Sequence, residues 1–230
     1  STNTSKTNFV RAAITVSSPL DARWAVTPII RWSHRSRARM FSVVEDFLVP
    51  LRVGPNGEWV KLMPGTEELW DALIDTSETL GDLTVSGPTP YRLDVASTPR
   101  YYISASLRAL DRGSKHVLYF ATPEDRDRAY VVLNSSLPFW WYRSLDGGIT
   151  VPSRVLASMP IPARTVEPEV VSEVQASEAI SLTTKMNAGR ANENIKHERS
   201  LVERLDGLLF GKVKYDLQHV YQSDMFALAG

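Results

Sequence analysis

The sequence predicts an α/β fold in which a mixed sheet is flanked by helices and is followed by further helices toward the carboxyl end. Three features of the 230 residues predict it. A Gly-Pro-Asn-Gly turn between short apolar runs is typical of a β-hairpin, capped helical segments alternate with β-branched stretches, and the last part has helical periodicity. Hydrophobic residues make up 43% and charged residues 23% of the chain, which is typical of a globular domain.

The first part of the chain is predicted to contain a linker, a strand and a hairpin. Residues 1–8 are small and polar, so we expect a linker there, and residues 9–16 have the composition of a short strand. The turn at 54–57 is expected to return the chain into a second strand at 58–62.

A helix is predicted over 66–80, with Thr66 at its N-cap and two glutamates in the first turn. Residues 81–99 contain three prolines and are expected to be rich in loops. The apolar face of the helix predicted over 66–80 is expected to consist of Leu69, Leu73 and Ile74.

Two strands, at 100–107 and 116–120, are predicted to pair across a polar turn. A helix over 122–142 is capped by Thr122 and has Pro123 in its first position, and Pro138 is expected to kink it or to start a second helix. Residues 149–155 are expected to be extended. A helical region over 167–210, broken near 187–194, has an apolar stripe of Leu201, Leu205, Leu208 and Leu209.

Residues 133–162 contain an ordered string of features: Leu-Asn-Ser-Ser, the aromatic run Phe-Trp-Trp-Tyr, a Gly-Gly turn, an extended arm and a Pro-Ile-Pro stop. This order resembles the end of the target recognition domain of adenine-N6 DNA methyltransferases from restriction-modification systems, the fused type IIG enzymes especially. It is similar, more loosely, to type I specificity subunits. The resemblance covers roughly residues 99–210.

The resemblance implies a recognition domain over 9–165 and a helical region over 166–230. It implies that the chain is the sequence-specific DNA-recognition part of a bacterial, cytoplasmic methyltransferase of a restriction-modification or phage-defence system. Its expected partners are double-stranded DNA and an upstream methyltransferase domain, which would bind S-adenosylmethionine. The chain itself is then not expected to be an enzyme or to bind a cofactor.

Residues 31–39 contain four Arg, one His and no acid. Arginine can bind phosphate through two hydrogen bonds and can recognise guanine edges, although a solvated basic loop would have the same composition. In a strand, alternate positions of this segment would share one face. Aromatic residues 139–142 are expected to pack in the core rather than stack on a base. The predicted DNA contacts are Arg31, Arg35, Arg37, Arg39, Lys115, Arg143, Ser153 and Arg154.

The sequence indicates no catalytic, cofactor or metal residues. It has no Cys, no Gly-x-Gly loop for S-adenosylmethionine and no Asn-Pro-Pro-Tyr motif for a target amine, and the four His have no ligand spacing. A self-contained hydrolase therefore has little support. The net charge of zero favours an alternative, a protein-interaction module of a defence complex without direct DNA contact. No apolar run approaches the roughly 20 residues of a membrane span, so no membrane partner is expected.

Overall fold

The computed structural model describes residues 24–30, 36–76, 78–99, 101–163, 166–187 and 189–211. The predicted linker at 1–8 and the predicted strand at 9–16 lie outside these residues. The helices are α1 (Arg37–Val43), α2 (Glu67–Ile74), α3 (Leu80–Leu83), α4 (Pro123–Leu133), α5 (Leu137–Leu145), α6 (Ser153–Ala157), α7 (Pro168–Ile180) and α8 (Arg199–Phe210), with a 3-10 turn at Val44–Phe47. The strands are β1 (Ala25–Val26), β2 (Val49–Pro50), β3 (Arg52–Val53), β4 (Trp59–Val60), β5 (Tyr91–Ala96), β6 (Ala105–Ser106), β7 (Lys115–Phe120), β8 (Leu182–Asn187) and β9 (Arg190–Ile195).

The class is the predicted one, helices combined with small sheets. In place of the expected mixed sheet, the described residues form separate small sheets in which every strand pairing is antiparallel. The largest of them has three strands in the order β6-β5-β7. The central strand β5 lies in the segment 81–99, which was expected to be rich in loops; that expectation missed the strand, although residues 85–90 before it are irregular. Pro88 and Pro90 precede the strand and leave its backbone donors intact. The predicted strands near 100–107 and 116–120 both pair with β5 and not with each other.

The amino-terminal elements largely follow the sequence pattern. The predicted hairpin is confirmed, since β3 pairs with β4 and the turn residue Gly57 has φ of 82°. Helix α2 begins after Thr66, as predicted, but ends at Ile74. A second short helix, α3, follows, with a capping box between Thr79 and Asp82. On α2, Trp70 is buried with Leu69 and Leu73, whereas Ile74 is 39% exposed.

Helices α4 and α5 form the centre of the hydrophobic core. Thr122 caps α4 by accepting a hydrogen bond from the Asp125 amide at 3.1 Å, and Pro138 stands in the first turn of α5, as the sequence predicts. The aromatic residues 139–142 are all buried, so their assignment to the core is confirmed. Trp141 stacks on Trp70 of α2 with 4.8 Å between ring centroids, which ties α5 to the amino-terminal part of the chain.

The carboxyl-terminal region differs from the predicted long helix. Residues 182–195 form a two-stranded antiparallel hairpin, the β8–β9 ribbon, between α7 and α8. Both helices pack against α4. In the leucine stripe of α8, Leu205 is fully buried while Leu208 is 40% exposed. Val174 and Leu205 belong to the same core cluster as Leu93 of the sheet. One hydrophobic core therefore includes residues on both sides of position 165, the boundary between the two expected regions. None of the described helices is both long and apolar enough to cross a membrane.

Candidate nucleic-acid interface

Asn134, in the Leu-Asn-Ser-Ser junction (residues 133–136), joins three parts of the fold. Its side-chain oxygen accepts hydrogen bonds from the Ala105 amide at 3.1 Å and from His197 Nε2 at 3.0 Å. Its side-chain nitrogen donates to the Tyr130 carbonyl at 2.9 Å. Because Asn134 Oδ1 only accepts, His197 carries a proton on Nε2, and its Nδ1 accepts from the Ser177 hydroxyl at 2.8 Å. Burial lowers the pKa of His197 to about 4, so the ring is neutral at physiological pH.

Two buried carboxylates complete the same region. Glu178 of α7 accepts hydrogen bonds from the Tyr130 hydroxyl and the Ser106 hydroxyl, each at 2.5 Å. Burial, followed by the hydrogen bond to Glu178, raises the pKa of Tyr130, which keeps its hydroxyl protonated as the donor. Asp206 of α8 accepts from the Ser136 amide at 2.9 Å at the start of α5, and burial raises the pKa of Asp206 to about 6. The junction therefore fixes α7 and α8 to the sheet and has a structural role.

The Gly-Gly turn after α5 is held by short polar contacts. Asp146 Oδ1 accepts from the Gly148 amide at 2.7 Å, and the Tyr142 hydroxyl donates to the Gly148 carbonyl at 2.5 Å. Neither glycine has positive φ, so a left-handed backbone conformation does not explain the two glycines. A Cβ on Gly147 would lie 2.2 Å from Ile29 Cδ1. Close packing against the segment at 24–30 is what favours glycine at position 147.

The arm after this turn pairs with the sheet and then becomes helical. The Val151 amide donates to the Ser97 carbonyl at 2.8 Å, and its carbonyl lies 2.9 Å from His116 Nε2. Residues 149–155 were expected to be extended throughout. The extended part ends at Pro152, because Val155 and Leu156 bury one face of the short helix α6.

Ser153 and Arg154 begin α6 and are both exposed. The guanidinium of Arg154 is 57% exposed and stands 3.7 Å from Asp146 and 3.9 Å from Glu58. Ion pairs this long at an exposed site contribute little and leave the guanidinium able to bind a ligand. Both side chains therefore have the exposure that DNA binding needs.

Lys115 and Arg143 are instead engaged within the fold. Lys115 Nζ lies 2.8 Å from Asp94 Oδ2 and donates to the Leu110 carbonyl at 2.7 Å. Asp94 is fully buried, so this cation compensates a carboxylate inside the sheet. Arg143 donates to the Ile29 carbonyl at 2.8 Å. Both contacts account for these residues as supports of the structure.

The basic segment is only partly described. Arg31 and Arg35 lie outside the described residues. Arg37 begins helix α1 and Arg39 is half-buried within it. The expected strand alternation is therefore wrong at 37 and 39, since a helix does not place alternate positions on one face. Ala and Met between and after the arginines favour a helix here over a strand.

The β8–β9 ribbon was missed by sequence reasoning, which predicted a break in a helix. The one local signal was Gly189, which has φ of 77° in the turn. Arg112, which is buried, fastens the ribbon by donating to the Glu193 carbonyl at 3.0 Å and to Asn194 Oδ1 at 2.5 Å. Its other terminal nitrogen donates to Thr98 Oγ1 at 2.6 Å. Ser97, which binds the arm, is the neighbour of Thr98.

The ribbon and the arm are therefore attached to the same end of the three-stranded sheet, where Ala96 pairs with Lys115. This end, the Ala96/Lys115 end, is the candidate interface. It combines the exposed start of α6 with a projecting ribbon. Ile149, on the arm that leads into α6, is 75% exposed.

Two arrangements that would indicate a nucleotide-like cofactor or a metal ion are not found among the described residues. The sheets there are antiparallel, without the Gly-rich turn from a strand into a helix that holds a nucleotide-like cofactor. Within the same residues no cluster of three or more His, Asp or Glu side chains is arranged to bind a metal.

Comparison with protein-family models, with curated proteins and with solved structures gives no match for this chain. The resemblance over residues 99–210 therefore rests on its own residues. The function is inferred below from those residues and from the geometry of the Ala96/Lys115 end.

Proposed function

We propose that this chain is the DNA target-recognition part of an adenine-N6 DNA methyltransferase of a restriction-modification or phage-defence system. The observation that carries the proposal is the ordered string at 133–162. Its Leu-Asn-Ser-Ser junction and aromatic helix form the rigid frame, and its turn and arm lead to Ser153 and Arg154 at the surface. A frame of this kind would hold a recognition surface in place, and the side chains on that surface would determine which DNA sequence is bound.

The charge of the Ala96/Lys115 end supports a polyanionic ligand despite the zero net charge of the chain. Lys115 compensates Asp94 and is left out of the balance; residues 108–114 and 182–196 then contain five basic and two acidic residues. One of those acids, Glu193, lies 3.0 Å from Arg108, and the hydrogen bonds of buried Arg112 go to neutral oxygens. Local positive charge of this kind attracts phosphates and releases their counterions.

The mechanism would be a division of labour. Residues at the Ala96/Lys115 end grip the duplex through phosphates and read base edges, which positions the target adenine. Methyl transfer from S-adenosylmethionine, with extrusion of that adenine from the stack, belongs to a catalytic domain. The described residues would fix the position of the DNA duplex relative to that catalytic domain.

Binding of the full chain to a fluorescently labelled 30-base-pair duplex tests this proposal. We expect fluorescence anisotropy to show binding in about 50 mM salt, weakening linearly on a logarithmic plot with a slope of about −0.9 for each phosphate contacted. Arg154→Gln should reduce the magnitude of the slope by about one such contact. Absence of binding at low salt would contradict the proposal.

An exposed tryptophan pair beside the amino-terminal strands favours the second candidate, a protein-interaction module without DNA contact. Trp24 and Trp59 are 67% and 53% exposed, with ring centroids 5.9 Å apart, and Val53 beside them is 62% exposed. Exposed aromatic residues of this kind mark protein interfaces. A chain that ignores duplex DNA but self-associates in a way that Trp59→Ser abolishes would favour this candidate over the first.

A further inference from the structure

The β8–β9 ribbon is anchored at its base and exposed toward its tip. At the base, Ile195 is fully buried, the Lys196 amide donates to the Ser181 carbonyl at 2.9 Å, and the Glu193 amide donates to the Asp111 carbonyl at 3.1 Å. Toward the tip, Met186 is 68% exposed. The outer half of the ribbon therefore projects from a firmly held base.

One face of the ribbon combines two cations with a carboxamide. Lys185 pairs directly with Asn192 in the antiparallel register, and Arg190 stands two positions before Asn192, so all three share a face. Glu193 has the opposite parity, and its carboxylate accepts from the Asp111 amide at 2.8 Å beside Arg108. At the base of this face, Asn194 accepts from buried Arg112. Among the described strand residues 182–187 and 190–195, the face therefore has its two cations toward the tip and has no acid on it.

The dimensions of the ribbon match those of a DNA groove. Neighbouring strands lie about 4.8 Å apart, and the major groove, about 12 Å wide, accepts a two-stranded β-ribbon with its side chains. Three residues of each strand in the outer half extend about 10 Å, close to the groove depth of about 8.5 Å.

We propose that the β8–β9 ribbon enters the major groove of duplex DNA and is a specificity-determining element of this chain. Arg190 donates two hydrogen bonds to a guanine edge, Asn192 pairs with an adenine edge through its amide, and Lys185 contacts a backbone phosphate. The inference rests on the proposed function, because it names the element with which the chain would recognise its DNA sequence. The placement of the ribbon beside the arm brings Arg154 to the same duplex as a phosphate contact.

The test compares two double variants of the full chain that remove the same charge. Lys185→Ala/Arg190→Ala removes the two ribbon cations. Arg52→Ala/Arg204→Ala removes two cations that pair with Asp71 and Glu173 on other elements. We expect the ribbon variant to reduce the salt slope for a random-sequence duplex by about two units and the control to change it by much less.

Asn192→Ala tests the reading of a base without a change in charge. After selection of bound sequences from a randomised duplex library, this variant should lose the preference at one adenine position, with affinity for the selected duplex reduced about 5- to 150-fold. Its salt slope should stay unchanged. The three ribbon positions are exposed or half-exposed, and thermal melting checks that each variant folds. Lys185→Gln/Arg190→Gln, which keeps longer side chains, replaces the alanine variant if that one melts early.

The outcomes distinguish a failure of the ribbon inference from a failure of the proposed function. A ribbon variant that behaves like its control, in a chain that binds DNA, would overturn this inference and leave the proposed function intact. A chain that does not bind duplex DNA at low salt would overturn both. If the ribbon variants then abolish binding to an acidic protein partner, the ribbon contacts protein rather than DNA.

Discussion

Two buried titratable groups are predicted to make opposite contributions to the pH dependence of stability. His197 lies beside Glu178, and burial lowers its pKa from 6.5 to about 4 against the opposing effect of that carboxylate. Asp206 is buried at the start of α5, and burial raises its pKa from 3.8 to about 6, although hydrogen bonds from Ser136 oppose the rise. The two titration windows overlap between about pH 4 and 6.

The sign differs because the two groups exchange protons in opposite directions on unfolding. Between pH 6.5 and 4 the unfolded chain binds a proton at His197 and the folded chain does not, so stability is lost as pH falls. Between pH 3.8 and 6 the folded chain binds a proton at Asp206 that the unfolded chain releases, so stability is lost as pH rises. From pH 8 to pH 5, His197 removes about 2 kcal/mol and Asp206 adds about 1 kcal/mol.

Single variants should reveal each contribution in urea denaturation at pH 8 and pH 5. Asp206→Asn keeps the shape and should lose about 1 kcal/mol more stability than the parent chain over this interval. His197→Gln should lose about 2 kcal/mol less than the parent. Contributions from other carboxylates are common to all three chains and cancel in the comparison. Equal pH dependence in all three would show that burial does not shift the pKa values of these two groups as described, and would refute the account of the junction.

Three further changes test other parts of the account. Leu205→Asp should lower the free energy of unfolding by more than about 4 kcal/mol, because it places a charge in the core; an unchanged melting temperature would contradict the packing of α8. Glu178→Ala should cost about 2–4 kcal/mol in urea denaturation by leaving Tyr130 and other buried donors unpaired, and Glu178→Gln should cost less. Arg154→Ala should weaken DNA binding with melting unchanged, unlike the control Arg199→Ala, whose partner lies on its own helix.

Local chemistry made several elements predictable. Thr122 before Pro123 specifies a helix start, Pro138 is compatible only with a first turn, and the Gly57 turn selects a hairpin. The aromatic run could be assigned to the core because side chains that large need burial. In each case the residues that decide the structure are neighbours in sequence.

Elements that depend on distant partners were not predictable in this way. Strand β5 contains the charged Asp94, which is tolerated in the sheet because Lys115 and Arg92 bind it. That pairing also engages Lys115, which looked available for DNA. The ribbon lacks an apolar alternation and is held by Arg112, some 80 residues away in sequence. Of the candidate interface, the sequence therefore predicted Ser153 and Arg154 but not the ribbon beside them.

Selection of bound sequences from a randomised duplex library, using the full 230-residue chain, tests the central claim most directly. The account predicts enrichment of one short sequence that contains an adenine, because the Ala96/Lys115 end reads base edges as well as phosphates. Uniform recovery of all sequences, or recovery of none at about 50 mM salt, would contradict the claim that this chain recognises a DNA target.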